Sequence, residues 1–355
     1  MIGESHSSPG SGAMTVEQIE HQFAQLRAND DGSPGLRASV VNLVVVTDEE
    51  SAGRVTEIVS GLSGDFPSRA VVLISDPEEE HANLDFQISA FCSIRGNGQV
   101  CAEQVIVHAE GPPAHHLESL AGPLLLPDLP VFLWYPADFT VDSPEFEGMV
   151  SLADRLVVDP AAAQDQGYCL SELAELLNRD APDLGDLQWV SLSPWRGLVA
   201  ELFHPPERAE KLGEIERVEI LHAPRGEARS LLLAGWLAST LGWKPESVNR
   251  EENYREVSFS GPSGEVTVEM SADSPDSALQ HIRLHSGDMS FQVSRHRQIS
   301  EARSTVTQGG EVVAERTVRL GSFEPGAILG EELHYRGRDD VYRAALRMAV
   351  EIMDL

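Results

Sequence analysis

Apolar and polar positions change period along this chain, and the changes mark its elements. Val16, Ile19, Phe23 and Leu26 recur at helical spacing behind Thr15, which makes a capping-box pattern with Gln18. The run ASVVNLVVVT that follows is apolar and β-branched, the pattern of a strand covered on both faces. Asp48-Glu49-Glu50-Ser51 opens a helix reaching Leu62, its acids favoured at a helix N-terminus, and RAVVLIS supplies a second buried strand. Strand, helix and strand of these lengths predict a parallel βαβ unit. Period two then takes over. Residues 86–94 and 100–108 alternate around Gly96-Asn97-Gly98 and predict a β-hairpin.

A helix over residues 115–120 leads into the most apolar stretch of the chain, PLLLPDLPVFLWYP, residues 123–136. Proline fixes φ and lacks an N–H, so Pro127 and Pro130 cannot sit inside a helix or a central strand. The stretch therefore reads as a helix end at residues 124–126, a tight turn at Pro127-Asp128 and a short buried strand, Val131–Tyr135, stopped by Pro136. A helical piece at residues 149–153, a strand at residues 154–159 and an amphipathic helix at residues 170–178 follow, and Pro182 and Gly185 mark a boundary. Beyond it, LQWVSLSPWRGLVAELF predicts a helix with Ser193 as cap and Pro194 at its first position, and residues 230–241 predict another. From Arg255 short alternating segments with tight turns predict an antiparallel meander, closed by an amphipathic helix, Asp340–Met353. The expected architecture is an α/β domain with a mixed sheet (a βαβ unit and a hairpin), residues 15–184, and an α+β domain with an antiparallel meander, residues 185–355, behind a disordered leader at residues 1–14.

Composition narrows the function classes. The balance of 41% hydrophobic and 23% charged residues is that of a folded chain. A formal net charge of −31 repels phosphate backbones and anionic bilayers, so neither nucleic acid nor a membrane is an expected partner. No apolar run reaches the ~18–20 residues of a membrane helix, and MIGESHSSPGSGAM lacks the pattern of a secretory signal. With three cysteines no disulfide scaffold is available, and a cytoplasmic protein is expected.

Chemical signatures are sparse. There is no GxxxxGK[ST] loop, no GxGxxG at a strand-to-helix turn, no GxSxG, no HExxH and no paired CxxC. His281 and His285 flank Arg283 on one strand face, and His115-His116 precede Glu118, but a metal needs a third ligand that spacing does not supply. No metal or cofactor is expected. Cys92 and Cys101 lie on opposite arms of the hairpin. A Gly96-Asn97 loop sets them directly opposite and makes them a candidate redox pair; an Asn97-Gly98 loop offsets them. Two small buried residues with no redox role are the plainer alternative.

PLLLPDLPVFLWYP, LADRLVVDP, the Trp-Val-Ser-Leu-Ser-Pro-Trp-Arg segment and VCAEQVIV together resemble the bacterial glucose-6-phosphate dehydrogenase assembly protein family, OpcA. The resemblance runs from the first helix to the last strand region. It implies a non-enzymatic cytoplasmic protein that binds the glucose-6-phosphate dehydrogenase oligomer, promotes its active form and supports the oxidative pentose phosphate pathway. The motif positions are Pro127, Asp128, Pro130, Trp134, Asp154, Arg155, Asp159, Pro194, Trp195 and Arg196. Trp and Arg concentrate binding energy at interfaces. Asp128, Trp134, Tyr135, Asp154, Arg155, Trp195 and Arg196 are therefore the candidates for a partner interface or a domain junction. Asp154 and Arg155 are adjacent and point to opposite faces of one strand, so each is expected to pair elsewhere, with Arg196 a partner for one of the acids. The competing class is an α/β enzyme acting on a sugar phosphate at the carboxyl ends of the first domain's strands.

Overall fold

A computed structural model describes the chain apart from residues 1–4, 11–13, 29–35, 38, 96–97, 137–138, 180, 273–278, 296–300 and 336. In chain order its elements begin with β1 (Ser5–Gly10), α1 (Val16–Leu26), β2 (Leu36–Arg37), β3 (Asn42–Thr47), α2 (Glu49–Leu62) and β4 (Arg69–Asp76). The hairpin β5 (Asn83–Arg95) and β6 (Gly98–Glu110) follows, then α3 (Leu117–Ala121), β7 (Val131–Tyr135), α4 (Pro144–Val150) and β8 (Arg155–Val158). Next come α5 (Gln166–Leu176), β9 (Asp183–Asp186), α6 (Leu187–Ser191), α7 (Ser193–Leu202), α8 (Pro206–Ala209), β10 (Arg217–Leu221) and α9 (Glu227–Leu241). Seven strands continue the chain: β11 (Lys244–Glu251), β12 (Tyr254–Gly261), β13 (Gly264–Ser271), β14 (His281–Ser286), β15 (Met289–Arg295), β16 (Glu301–Gln308) and β17 (Glu311–Arg319). Two helices, α10 (Pro325–Glu332) and α11 (Asp340–Met353), end it.

Contacts divide these elements into two compact units. The first holds residues 1–159, 181–185 and 324–337; the second holds residues 160–180, 186–323 and 338–355. The boundary expected at 184/185 lies beside one crossing, at 185/186, and the chain also crosses at 159/160, 180/181, 323/324 and 337/338. Of the expected leader, residues 1–4 and 11–13 lie outside the described residues, while Ser5–Gly10 pairs antiparallel with β5.

In the first unit the sheet order is β1-β5-β6-β4-β3-β7-β8-β9, with β2 also paired to β6. Strands β6, β4, β3, β7 and β8 are mutually parallel; β5 turns back antiparallel beside β6. The order reverses at β3, whose neighbours are the next strand β4 on one side and the later β7 on the other, so the sheet is doubly wound. The apolar runs fill its centre: Leu43 to Val45, Val71 to Leu73 and Val131 to Tyr135 are all buried. The strand expected from Ala38 begins at Asn42, whose side chain is committed to the proline turn described below. Thr15 and Gln18 form the expected reciprocal cap of α1. Arg69 anchors that helix. Its guanidinium lies 4.4 Å from the Phe23 ring centroid, 2.7 Å from Glu20 and 2.6 Å from the buried Glu103. A buried cation is retained when such partners satisfy it.

The second unit holds the expected α+β arrangement, with sheet order β11-β12-β13-β10-β14-β15-β16-β17. All neighbours are antiparallel except β10 with β13. One face is apolar and buried, carrying Val218, Ile220, Val268, Leu284 and Phe291. Helix α11 lies so close to α9 that a Cβ on Gly235 would collide with the Ala345 carbonyl, so glycine is required there. Helix α7 departs from expectation. Leu192 alone separates it from α6 and occupies the cap position without a side-chain bond, and Ser193, its first residue, instead accepts on Oγ from Arg196 Nη2 at 3.1 Å.

Candidate functional site

The proline turn is held from below by one residue. Asn42, fully buried at the start of β3, donates from Nδ2 to the carbonyls of Leu126 (3.0 Å) and Leu129 (3.1 Å) and accepts the Leu126 N–H at 2.8 Å. Its backbone N–H adds a bond to the Pro130 carbonyl at 2.9 Å. The clamp stabilises a turn in which Asp128 has φ +63°, a conformation that few residues other than glycine, asparagine and aspartate adopt. Asp128 is exposed at the apex.

The LADR segment meets this turn. Asp154 accepts the Val131 N–H on Oδ2 at 2.8 Å, and its own N–H bonds the Val131 carbonyl at 2.9 Å. Arg155 is buried at 4% exposure and reaches residues far along the chain. Its Nε donates to Glu332 Oε1 at 2.5 Å, its Nη1 to the Gly337 carbonyl at 2.8 Å, and its guanidinium lies 5.7 Å from the Tyr335 ring centroid. Glu332, 2% exposed at the end of α10, is thus neutralised where it is buried. Gly185 fits against this pair, since a Cβ there would strike the Glu332 carboxylate and come within 3.1 Å of Arg155 Nε.

These residues line a cleft of about 550 Å³ in the first unit, walled by Asp128, Asp154, Asp183, Phe132 and Tyr335 with Arg155 at its base. Tyr335 is 52% exposed. An acidic rim beside an exposed aromatic ring suits a basic, amphipathic contact better than an anionic metabolite. Among the described residues no group of three or more His, Cys, Asp or Glu is placed to hold a metal ion.

Of the seven candidates, Asp128, Asp154 and Arg155 come together here. The aromatic ones do not reach the surface. Trp134, Tyr135 and Trp195 are 2%, 8% and 1% exposed, so of the two expected roles, partner interface or domain junction, the partner-facing one finds no exposed ring there. Their apolar settings decided the matter: Val131–Tyr135 is buried throughout, and Tyr135 packs on Phe139 and Phe146 at 5.7 and 5.4 Å. Burial raises the Tyr135 hydroxyl well above the usual phenol range. Arg196, in the second unit, stacks 3.4 Å over the Trp189 ring. Asp183, Glu332, Tyr335 and Gly337 were not anticipated.

The hairpin takes the first of the two registers. Arg95 pairs with Gly98 and Cys92 stands directly opposite Cys101, their sulfurs joined in a disulfide beside Ala90 and Leu26. Residues 96 and 97 between the arms lie outside the described residues.

A doubly wound sheet invites a test for a dinucleotide at the turn between β3 and α2. Asp48 caps that helix, accepting the Ser51 N–H at 2.7 Å, and exposed Glu49 and Glu50 occupy its first turn. A carboxylate already takes the place where a pyrophosphate would sit, and the first glycine is Gly53. The residues present do not fit the cofactor.

The chain resembles known proteins in sequence and in fold. A family profile described as glucose-6-phosphate dehydrogenase subunit N-terminal domain matches residues 59–175, and one described as the C-terminal domain of that subunit matches residues 182–346. An OxPP cycle protein OpcA of Synechocystis is 26% identical over 329 residues, 84% of this chain and 66% of that protein. Its namesake in Nostoc punctiforme is 24% identical over 100% of this chain and 78% of its own length. The chain thus spans about two thirds of the first relative and a larger share of the second. Among solved structures, a variant of the 3-ketoreductase KijD10 from Actinomadura kijaniata, in complex with TDP-benzene and NADP, aligns with a TM-score of 0.52 at 10% identity. That alignment covers 89% of this chain and 97% of the other, a likeness of fold alone. Matched by both domain profiles over most of its length, the chain belongs to the OpcA family of glucose-6-phosphate dehydrogenase-associated proteins.

Proposed function

We propose that this protein binds glucose-6-phosphate dehydrogenase, favours its active oligomer and catalyses no reaction of its own. The observation that carries the reading is the match of two profiles that both name a subunit of that enzyme, over residues 59–175 and 182–346. A binding protein shifts an equilibrium only by its differential affinity for the two states, so activation requires tighter binding to the active oligomer than to its parts. The exposed acids Asp128 and Asp154, with Tyr335 between the walls of their cleft, are the contact we assign to the enzyme. They suit a basic segment of its surface, and the overall charge of −31 would steer such a segment inward.

The competing reading, an α/β enzyme acting on a sugar phosphate, draws on the reductase-like fold. The acidic turn at Asp48-Glu49-Glu50 argues against it, because it opposes phosphate where that fold would take it.

The test measures dehydrogenase rate, substrate affinity and oligomer mass with and without this protein, and again with Asp128→Asn, which removes the charge and tolerates φ +63°. The wild-type protein is expected to raise activity or mass, and the variant to lose at least tenfold in affinity with its melting temperature kept. No change in rate, affinity or mass with the wild-type protein overturns the reading. Full binding by the variant moves the contact away from this cleft.

A further inference from the structure

Strand β17 ends the second sheet with one edge open. It pairs with β16, and among the described residues no other strand pairs with it. Nine residues of free edge are a template for another strand, which proteins commonly blunt with lysine, proline or a covering segment. EVVAERTVR holds no lysine or proline, its bulge at Val313 leaves residues 314–319 in regular register, and seven of its nine residues are exposed, Val312 by 59% and Val313 by 51%. The helical layer also stops short of it. A hollow of about 450 Å³ separates Ala314 and Arg316 from Leu202, Pro205 and Arg208, crossed by an Arg316–Glu201 ion pair at 2.8 Å.

We propose that β17 joins two copies of this chain, edge to edge and antiparallel, about a two-fold axis at Thr317. This goes beyond dehydrogenase binding and concerns the protein alone. Its charges favour a second copy as occupant. The strand carries two glutamates and two arginines, Glu311, Glu315, Arg316 and Arg319, so it is neutral within a chain of net charge −31, and two copies can approach there without the repulsion that their other surfaces generate.

Register follows from geometry. A two-fold axis perpendicular to the sheet keeps each face on its own side, so only residues of one face stand opposite one another. Val306 pairs with Ala314 and Thr307 with Val312, which leaves Val313 as an extra, bulged residue. Axes at Val313 or Ala314 run through that irregularity. An axis at Glu315 sets two carboxylates face to face, and one at Arg316 sets two guanidinium groups face to face. With the axis at Thr317, the two threonines meet, and each Glu315 stands opposite the partner subunit's Arg319. Opposite charges directly across a strand pair are favourable and like charges unfavourable. Arg303 on β16, 3.5 Å from Glu315, steadies the carboxylate from its own side.

Sedimentation and light scattering of the full-length chain across a concentration series test this. The wild-type protein is expected to dimerise reversibly. Arg319→Glu, which opposes glutamate to glutamate twice, is expected to raise the dimer dissociation constant about tenfold or more. Combining it with Glu315→Arg restores the pairs in reversed sense and should return the constant to within about threefold of wild type. Thr317→Lys, which places two ammonium groups on the axis, is a second disruptive variant should Arg319→Glu fail to fold. A wild-type protein monomeric at every concentration overturns the proposal. So does a dimer indifferent to both disruptive variants, or a charge swap that folds with wild-type melting temperature and stays dissociated.

Discussion

Arg155 and Glu332 lie 177 residues apart in sequence and bond at 2.5 Å, with side chains only 5% and 3% exposed. Removing one member leaves a buried charge uncompensated. Glu332→Ala is expected to lower stability by about 3–5 kcal/mol, read from urea unfolding, whereas Arg155→Met with Glu332→Leu should recover most of that loss. A single variant within about 1 kcal/mol of wild type would show that water reaches the pair.

Gly185 shares the same ground. Gly185→Ala pushes a methyl group into the Glu332 carboxylate and is expected to cost about 1–3 kcal/mol. In the Glu332→Ala background the obstruction is gone, so the two changes should be strongly non-additive in a double-mutant cycle.

The Cys92–Cys101 bond predicts a thiol count. Denatured without reductant, the protein should show one free thiol, Cys169; with reductant it should show all three cysteines. Replacing both hairpin cysteines by serine releases a short closed loop and should cost about 2–3 kcal/mol on loop-entropy grounds. Three thiols without reductant would mean that the pair is reduced in the isolated protein.

His222 predicts a pH dependence. Burial lowers its pKa below the ordinary histidine range, while its Nδ1 lies 2.7 Å from the Ala223 carbonyl. The unfolded chain therefore takes up a proton at a pH where the folded chain does not. Stability is full above the unfolded pKa and declines as pH falls through the window toward the folded value. His281 shifts in the same direction, through burial and then Arg283. The melting temperature should drop as pH falls through the ordinary histidine range, and less so in His222→Asn. Equal slopes for the two proteins would remove His222 as a cause.

Much of this fold is legible in the chain itself. The βαβ unit, the hairpin, Val131–Tyr135 and Asp340–Met353 emerge from local periodicity because each buries a face that its own sequence defines. Two strands of the second sheet do not emerge. Lys244–Glu251 is an edge strand with Pro245 and four charges, exposed over most of its length, and Arg217–Leu221 is too short to show a period. In the cleft, Asp128, Asp154 and Arg155 are readable because motifs carry them. Glu332 and Tyr335 are not, since only the returning helix α10 brings them to Arg155, and nothing local to either announces the other. The tryptophans misled for a physical reason. Tryptophan is enriched both at interfaces and in cores, and the apolar neighbours of Trp134 spoke for the core.

The return of residues 324–337 to the first unit has a consequence for the order of events in the cell. Domains that are contiguous in sequence can fold as they leave the ribosome, one after another. Here the guanidinium of Arg155 waits, without its carboxylate, through the synthesis of the 177 residues that separate it from Glu332. The first unit can mature only after residues 160–180 and 186–323 of the second have been made. A nascent chain stalled before α10 would expose an unmatched cation and the bare flank of α2, which marks it as a target for chaperones, and a fragment ending at residue 184 should inherit the same defect permanently.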